Sequence, residues 1–118
     1  MSRRTHRVED LLREELSEIL LRELHDPRAR LVTLSAVTVS PDLEHAHVAV
    51  SLYGSEEERL AAVEALRHAG AFLRGRLARR LRDLRRIPQL AFDLDRGPEH
   101  AQRISDLLEN LEHDDEST

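Results

Sequence analysis

Two β-branched runs, LVTLSAVTV at 31–39 and AHVAVSL at 46–52, stand almost back to back in a chain whose other apolar residues mostly recur at helical spacing. In the second run Ala46, Val48, Val50 and Leu52 share one face, and His47, Ala49 and Ser51 share the other, which is the period of a strand. The connection between them, SerProAspLeu at 40–43, is short and polar and contains Pro41. The pair therefore predicts an antiparallel hairpin with one packed face and one partly wet face.

The residues before and after the hairpin set the remaining elements. From Thr5 to Leu24 the apolar residues Val8, Leu11, Leu12, Leu16, Ile19, Leu20 and Leu24 fall three and four apart, the stripe of an amphipathic helix. Pro27 ends it, because proline disfavours helical geometry at Asp26 and has no amide hydrogen. Ser55 followed by Glu56, Glu57 and Glu58 is a capping box that opens a second helix, with Leu60, Val63 and Leu66 expected inward. Gly70 interrupts the pattern, which resumes at Phe72, Leu73, Leu77, Leu81 and Leu84, so two helices with a tight junction are expected. Leu90, Phe92 and Leu94 alternate with Ala91 and Asp93 in a third strand, entered past Pro88. A helical crossover before that strand predicts that it lies parallel to its neighbour, in a small mixed three-stranded sheet with helices across one face. Ile104, Leu107, Leu108 and Leu111 give a short last helix or docking segment. One domain over 1–112 is expected, followed by an acidic, disordered tail at 113–118.

Composition narrows the chemistry. A chain of 118 residues without cysteine has no disulfide, thiolate nucleophile or thiolate metal centre. It has no long apolar run, and its start, MSRRTHRVEDLL, lacks the apolar stretch of a secretory signal, so a soluble cytoplasmic protein is expected. The seven histidines contain no HisGluXaaXaaHis pattern. His45 and His47 share a strand face, as do Asp93 and Asp95, but neither pair has matching partners in the sequence, and both read as wet surface. There is no nucleophile elbow around Ser35, Ser40 or Ser51, and no glycine-rich phosphate loop. No catalytic residue, metal or cofactor is therefore expected.

The net charge of −5 conceals a segregation that points to a polyanion. Residues 67–86 hold eight arginines, Arg67, Arg74, Arg76, Arg79, Arg80, Arg82, Arg85 and Arg86, against Asp83 alone. Residues 9–26 carry seven acids against two arginines, and residues 99–118 seven acids against Arg103. A phosphate backbone responds to the local field, since charges more than about 10 Å away are largely screened. On a helix, Arg76, Arg79 and Arg80, with Arg82 or Arg86, form a ridge spaced for successive phosphates. The competing reading is that these arginines pair with the acidic terminal helices, leaving a protein-interaction adaptor. Aromatic residues are limited to Tyr53, Phe72 and Phe92, and both phenylalanines occupy core-type positions, so binding through phosphates and shape is expected rather than base stacking.

Five blocks in order extend this reading: RVEDLLREEL at 7–16, DPR at 26–28, VTLSAVTVSPDLEHAHV at 32–48, ALRHAGAFLR at 65–74 and LRRIPQLAFDLD at 84–95. Together they make the chain, from about Thr5 to Leu111, resemble the ribosome-binding factor A family of bacterial small-subunit assembly factors. The resemblance implies an α+β, two-layer KH-like domain of type II topology, α-β-β-α-α-β, with the C-terminal helix added. It further implies binding to the free 30S subunit or its precursor, late maturation of 16S rRNA including its 5′ end, and support of growth in the cold, with no catalytic activity. KH domains clamp nucleic acid with a GlyXaaXaaGly loop, whereas this family has an AlaXaaGly interhelical kink. Its counterpart here is Ala69, Gly70 and Ala71, with the glycine one residue early. A monomer that docks on 16S rRNA, with basic ribosomal proteins as further partners for the acidic helices, is the resulting expectation.

Overall fold

The computed structural model describes residues 3–116, with side chains to residue 110. The chain forms α1 (Arg3–Arg22), a 3₁₀ turn at Pro27–Ala29, β1 (Thr33–Val39), β2 (His45–Ser51), α2 (Glu56–His68), α3 (Gly70–Arg80), β3 (Gln89–Leu94) and α4 (Pro98–Glu116). This is the expected α-β-β-α-α-β order with one helix added. The acidic end expected as a tail is drawn into α4 as far as Glu116, and residues 117 and 118 lie outside the described residues.

The sheet is mixed, in the order β1-β2-β3, with β1 antiparallel and β3 parallel to β2. Ala46, Val48 and Val50 turn inward, opposite Val39, Val37 and Leu34 of β1 and Leu90, Phe92 and Leu94 of β3. Ser35 has no partner in the register and forms a bulge, and β1 begins at Thr33 because Leu31 lies exposed in the preceding turn. Val8, Leu12, Leu16 and Ile19 of α1 close the core from the helical side with Leu66, Leu73 and Leu77. Each such side chain contributes about 1.5–3 kcal/mol when fully buried. Glu9 fixes α1 against the sheet, its carboxylate accepting from the Val39 N–H at 2.8 Å.

Local chemistry explains the punctuation. Asp26 caps the 3₁₀ turn by accepting from the Arg28 N–H at 3.0 Å, and it clamps the Arg28 guanidinium at 2.9 Å, so DPR closes on itself with proline at the first helical position. Ser55 and Glu58 form the predicted reciprocal cap at 3.1 Å each way. In the hairpin connection Leu43 adopts a φ of 64°, a conformation that costs a branched side chain energy. Leu43 packs against the core, and its N–H donates to the Ser40 carbonyl at 2.8 Å, which offsets that strain.

Three local expectations need correction. Leu60 is exposed, since Ala62, Val63, Ala65 and Leu66 turn α2's packed face away from it. Phe72 is also exposed, because Leu73 and Leu77 take the inward positions of α3. The ridge over Arg76–Arg86 is not one helix. α3 ends at Arg80, and Arg82, Arg85 and Arg86 lie in the connection to β3. The chain must reverse there to lay β3 parallel to β2, with Leu81 and Ile87 buried at its ends and like charges at helical spacing opposing continuation.

Candidate nucleic-acid interface

The break between α2 and α3 falls at Ala69, whose φ of −85° and ψ of 3° leave the helical basin without entering the left-handed one. Its N–H still donates to Ala65 at 3.1 Å and its carbonyl accepts from Leu73 at 2.9 Å, so the helical hydrogen bonds persist on both sides of the break. Gly70 then begins α3 with no positive φ and open space around its α-carbon, and Ala71 follows on the exposed side. A glycine is thus not sterically demanded at the junction.

The eight arginines divide into three sets. Arg67 and Arg74 bind backbone: Arg67 donates to the Phe92 carbonyl at 3.0 and 3.2 Å, with Glu64 a looser ion-pair partner at 3.9 Å, and Arg74 donates to the Ile87 carbonyl at 2.9 Å. These bonds tie the helix pair to β3 and its entrance. Arg76, Arg80 and Arg86 meet acids. Arg80 bridges Glu15 at 3.0 Å and Glu23 at 3.2 Å on α1, Arg76 reaches Glu23 at 3.7 Å, and Arg86 pairs with Glu44 at 3.1 Å. The Glu15 bond, against the cost of desolvation, raises the Arg80 pKa above its ordinary value. The Arg76 guanidinium also lies 5.0 Å from the centre of the Phe72 ring, a cation–π distance. Arg79, Arg82 and Arg85 are exposed and have no acidic or hydrogen-bonding partner among the described residues.

Around the third set the surface is concave. An open groove of about 940 Å³ runs between the N-terminal half of α1, the hairpin connection and the turn after α3. Five of its arginines come from residues 79–86, and Arg4 and Arg7 come from α1. Four acids, Glu15, Asp42, Glu44 and Asp83, share the lining, so positive charge is in excess, and Val8, Leu11, Leu81 and Leu84 form the apolar floor. The sequence reading missed Arg4 and Arg7. A signal for them existed: α1 has no acid in its first turn, where the helix dipole favours one, and carries arginines instead.

The two side-chain pairs weighed in the sequence are rearranged. His47 turns toward Asp93 and toward His100 of α4, while His45 and Asp95 take no part in that group. Burial pushes the His47 imidazole below its ordinary pKa, with the neighbouring Asp93 charge opposing. No helix among the described residues is long and apolar enough to cross a membrane.

Comparison with known proteins agrees with this architecture. The family model described as ribosome-binding factor A matches residues 4–108. The ribosome-binding factor A of Thermomicrobium roseum is 46% identical over 113 residues, covering 96% of this chain and 87% of that protein. That of Dictyoglomus thermophilum is 42% identical, covering 98% and 97%. Among solved structures, the ribosome-binding factor A crystal structure from Thermus thermophilus superposes with a TM-score of 0.68 at 36% identity, over 79% of this chain and 98% of that one. A Thermus thermophilus ribosome-binding factor A homology model fitted into a cryo-EM map of its 30S complex gives 0.62 at 38% identity, over 74% and 90%.

Proposed function

The chain belongs to the ribosome-binding factor A family, and from that membership we propose that it binds the free 30S subunit or its precursor in the cytoplasm. In this reading it assists late maturation of 16S rRNA, including its 5′ end, as a monomeric domain over 1–112 with no chemical step of its own. The observation that carries the reading is the arginine-lined groove, in which Arg79, Arg82 and Arg85 hold guanidinium groups that no acid among the described residues neutralises. Guanidinium forks match phosphate oxygens in charge and geometry, and they contribute affinity without reading bases. Arg76, Arg80 and Arg86 join them when a phosphate displaces the acid each now holds. Arg67 and Arg74 keep the surface in shape, and the turn at Ala69, Gly70 and Ala71 presents it to rRNA. Selectivity comes from the assembled shape of rRNA and neighbouring proteins.

A second reading has its own support, since Arg76, Arg80 and Arg86 pair with acids as a protein-interaction adaptor requires. Sedimentation with purified 30S subunits across a salt series separates the two, using the wild type and a combined Arg79→Glu, Arg82→Glu and Arg85→Glu variant. Co-migration that falls steeply with salt and disappears in a variant of unchanged circular dichroism supports the phosphate reading. Equal association of both proteins at every salt concentration assigns the function to the adaptor.

A further inference from the structure

On the side of the sheet away from the core, β2 and β3 set small and large residues in a checkerboard. His47 lies opposite Ala91, and Ala49 opposite Asp93, so the two functional side chains are diagonal neighbours across a floor of two alanines. The first turn of α4 brings His100 over them. Both imidazoles direct Nε2 toward one oxygen, Asp93 Oδ2, at 3.8 Å from His47 and 3.2 Å from His100. One ligand atom from each residue lies within 4.8 Å of the other two. The rings meet edge to face with their centroids 6.3 Å apart. His47 Nε2 is buried and has no hydrogen-bond partner among the described residues. Its side chain retains 13% of its exposure, so water has little access to satisfy it.

We propose that His47, Asp93 and His100 form a binding site for a divalent transition metal, zinc being the probe of choice, that fastens α4 to the sheet. Two imidazoles and one carboxylate suit zinc, which accepts four ligands in a tetrahedron and leaves one position to water. Zinc–ligand bonds of about 2.0–2.2 Å place neighbouring donor atoms somewhat over 3 Å apart, so rotamer adjustments suffice to close the present spacing. The Leu94 N–H donates to Asp93 Oδ1 at 2.9 Å, which leaves Oδ2 to the metal and orients the carboxylate. The ligands come from β2, β3 and α4. The ion therefore joins a helix that otherwise contributes only Leu108 to the buried apolar residues among those described. This site lies apart from the residues that line the arginine groove and does not depend on the ribosomal reading.

Zinc titration of the full chain, purified without a histidine tag, tests the site by calorimetry, with cobalt(II) as a visible-absorption reporter of tetrahedral geometry. One equivalent is expected to bind. Affinity should fall at least about tenfold in Asp93→Asn and in His100→Ala, and stay unchanged in His45→Ala. Amide exchange within α4 should slow on adding zinc to the wild type and not to Asp93→Asn. These substitutions lie at partly exposed positions, and circular dichroism establishes that each variant is folded. Absence of binding, or binding that survives both Asp93→Asn and His100→Ala, overturns the proposal.

Discussion

Arginines that look alike in the sequence do different work, and what each guanidinium touches decides which. Arg74 donates to the Ile87 carbonyl while its Nε stays buried, so its removal strips a buried acceptor of its partner as well as losing packing. Arg74→Ala is expected to lower the free energy of unfolding by about 1–3 kcal/mol. Arg79→Ala, at an exposed position without a partner among the described residues, should stay within about 0.5 kcal/mol of the wild type. Urea denaturation followed by circular dichroism checks both, and equal losses in the two variants contradict the division of roles. The sequence could not supply that division. Counting arginines from 67 to 86 identified the charged segment, but a carbonyl at position 87 or 92 becomes a partner only once β3 has folded back beside the helices. The same applies to His47, whose partners lie 46 and 53 residues away along the chain. Only the strand register and the position of α4 bring the three together.

At the scale of elements, most of the fold was legible because local rules agreed. Alternation marked β2 and β3, a capping box marked the start of α2, and proline marked the exits of α1 and of the loop before β3. What misled was the run from Leu77 to Leu84, whose apolar spacing is helical although the chain leaves the helix after Arg80. There a tertiary requirement, the parallel return of β3, overrides a local pattern. Gly70 was legible as an interruption for a partly mistaken reason. Its φ is not positive and nothing crowds its α-carbon, so the break belongs to Ala69 and to the packing of α2 and α3. Gly70→Ala is accordingly expected to stabilise the protein by about 0.4–1 kcal/mol, by reducing the freedom of the unfolded chain. Thermal unfolding measures this, and a fall in stability would show that the junction uses glycine's freedom after all. At the other end of α2, Ser55→Ala removes the side-chain cap on the Glu58 N–H and should cost about 1 kcal/mol. Glu58's carboxyl is held below its ordinary pKa by the Ser55 backbone N–H and then by the Ser55 side chain. Its contribution is therefore present above the ordinary carboxylate range and lost as pH falls through its lowered pKa. Because the Ser55 N–H remains in Ser55→Ala, acid should weaken both proteins and narrow the gap between them only by the smaller side-chain part.

For the whole molecule the decisive quantity is competition for arginine. Glu15 and Glu23 on α1 occupy Arg80 and Arg76, at the edge of a groove in which Glu44 holds Arg86 while Arg79, Arg82 and Arg85 have no acidic partner among the described residues. An acid on the protein and a phosphate on RNA cannot both hold the same guanidinium fork. Pairing with α1 thus lowers the affinity for polyanions in general and leaves more of the selectivity to shape. Neutralising both acids, as Glu15→Gln with Glu23→Gln, should release Arg76 and Arg80 for phosphates. The pairs are solvent-exposed, so the loss of stability should remain small, about 0–1 kcal/mol for each bridge. Binding to an unstructured RNA should tighten, and its dependence on salt should steepen by up to about one unit of log–log slope for each arginine released. Discrimination between 30S subunits and that RNA should narrow, because the added contacts read charge alone. Filter binding of both targets across a salt series measures all of these quantities. A variant whose RNA affinity and salt slope match the wild type would mean that phosphates never reach Arg76 and Arg80, and would confine the interface to Arg79, Arg82, Arg85 and their neighbours on α1.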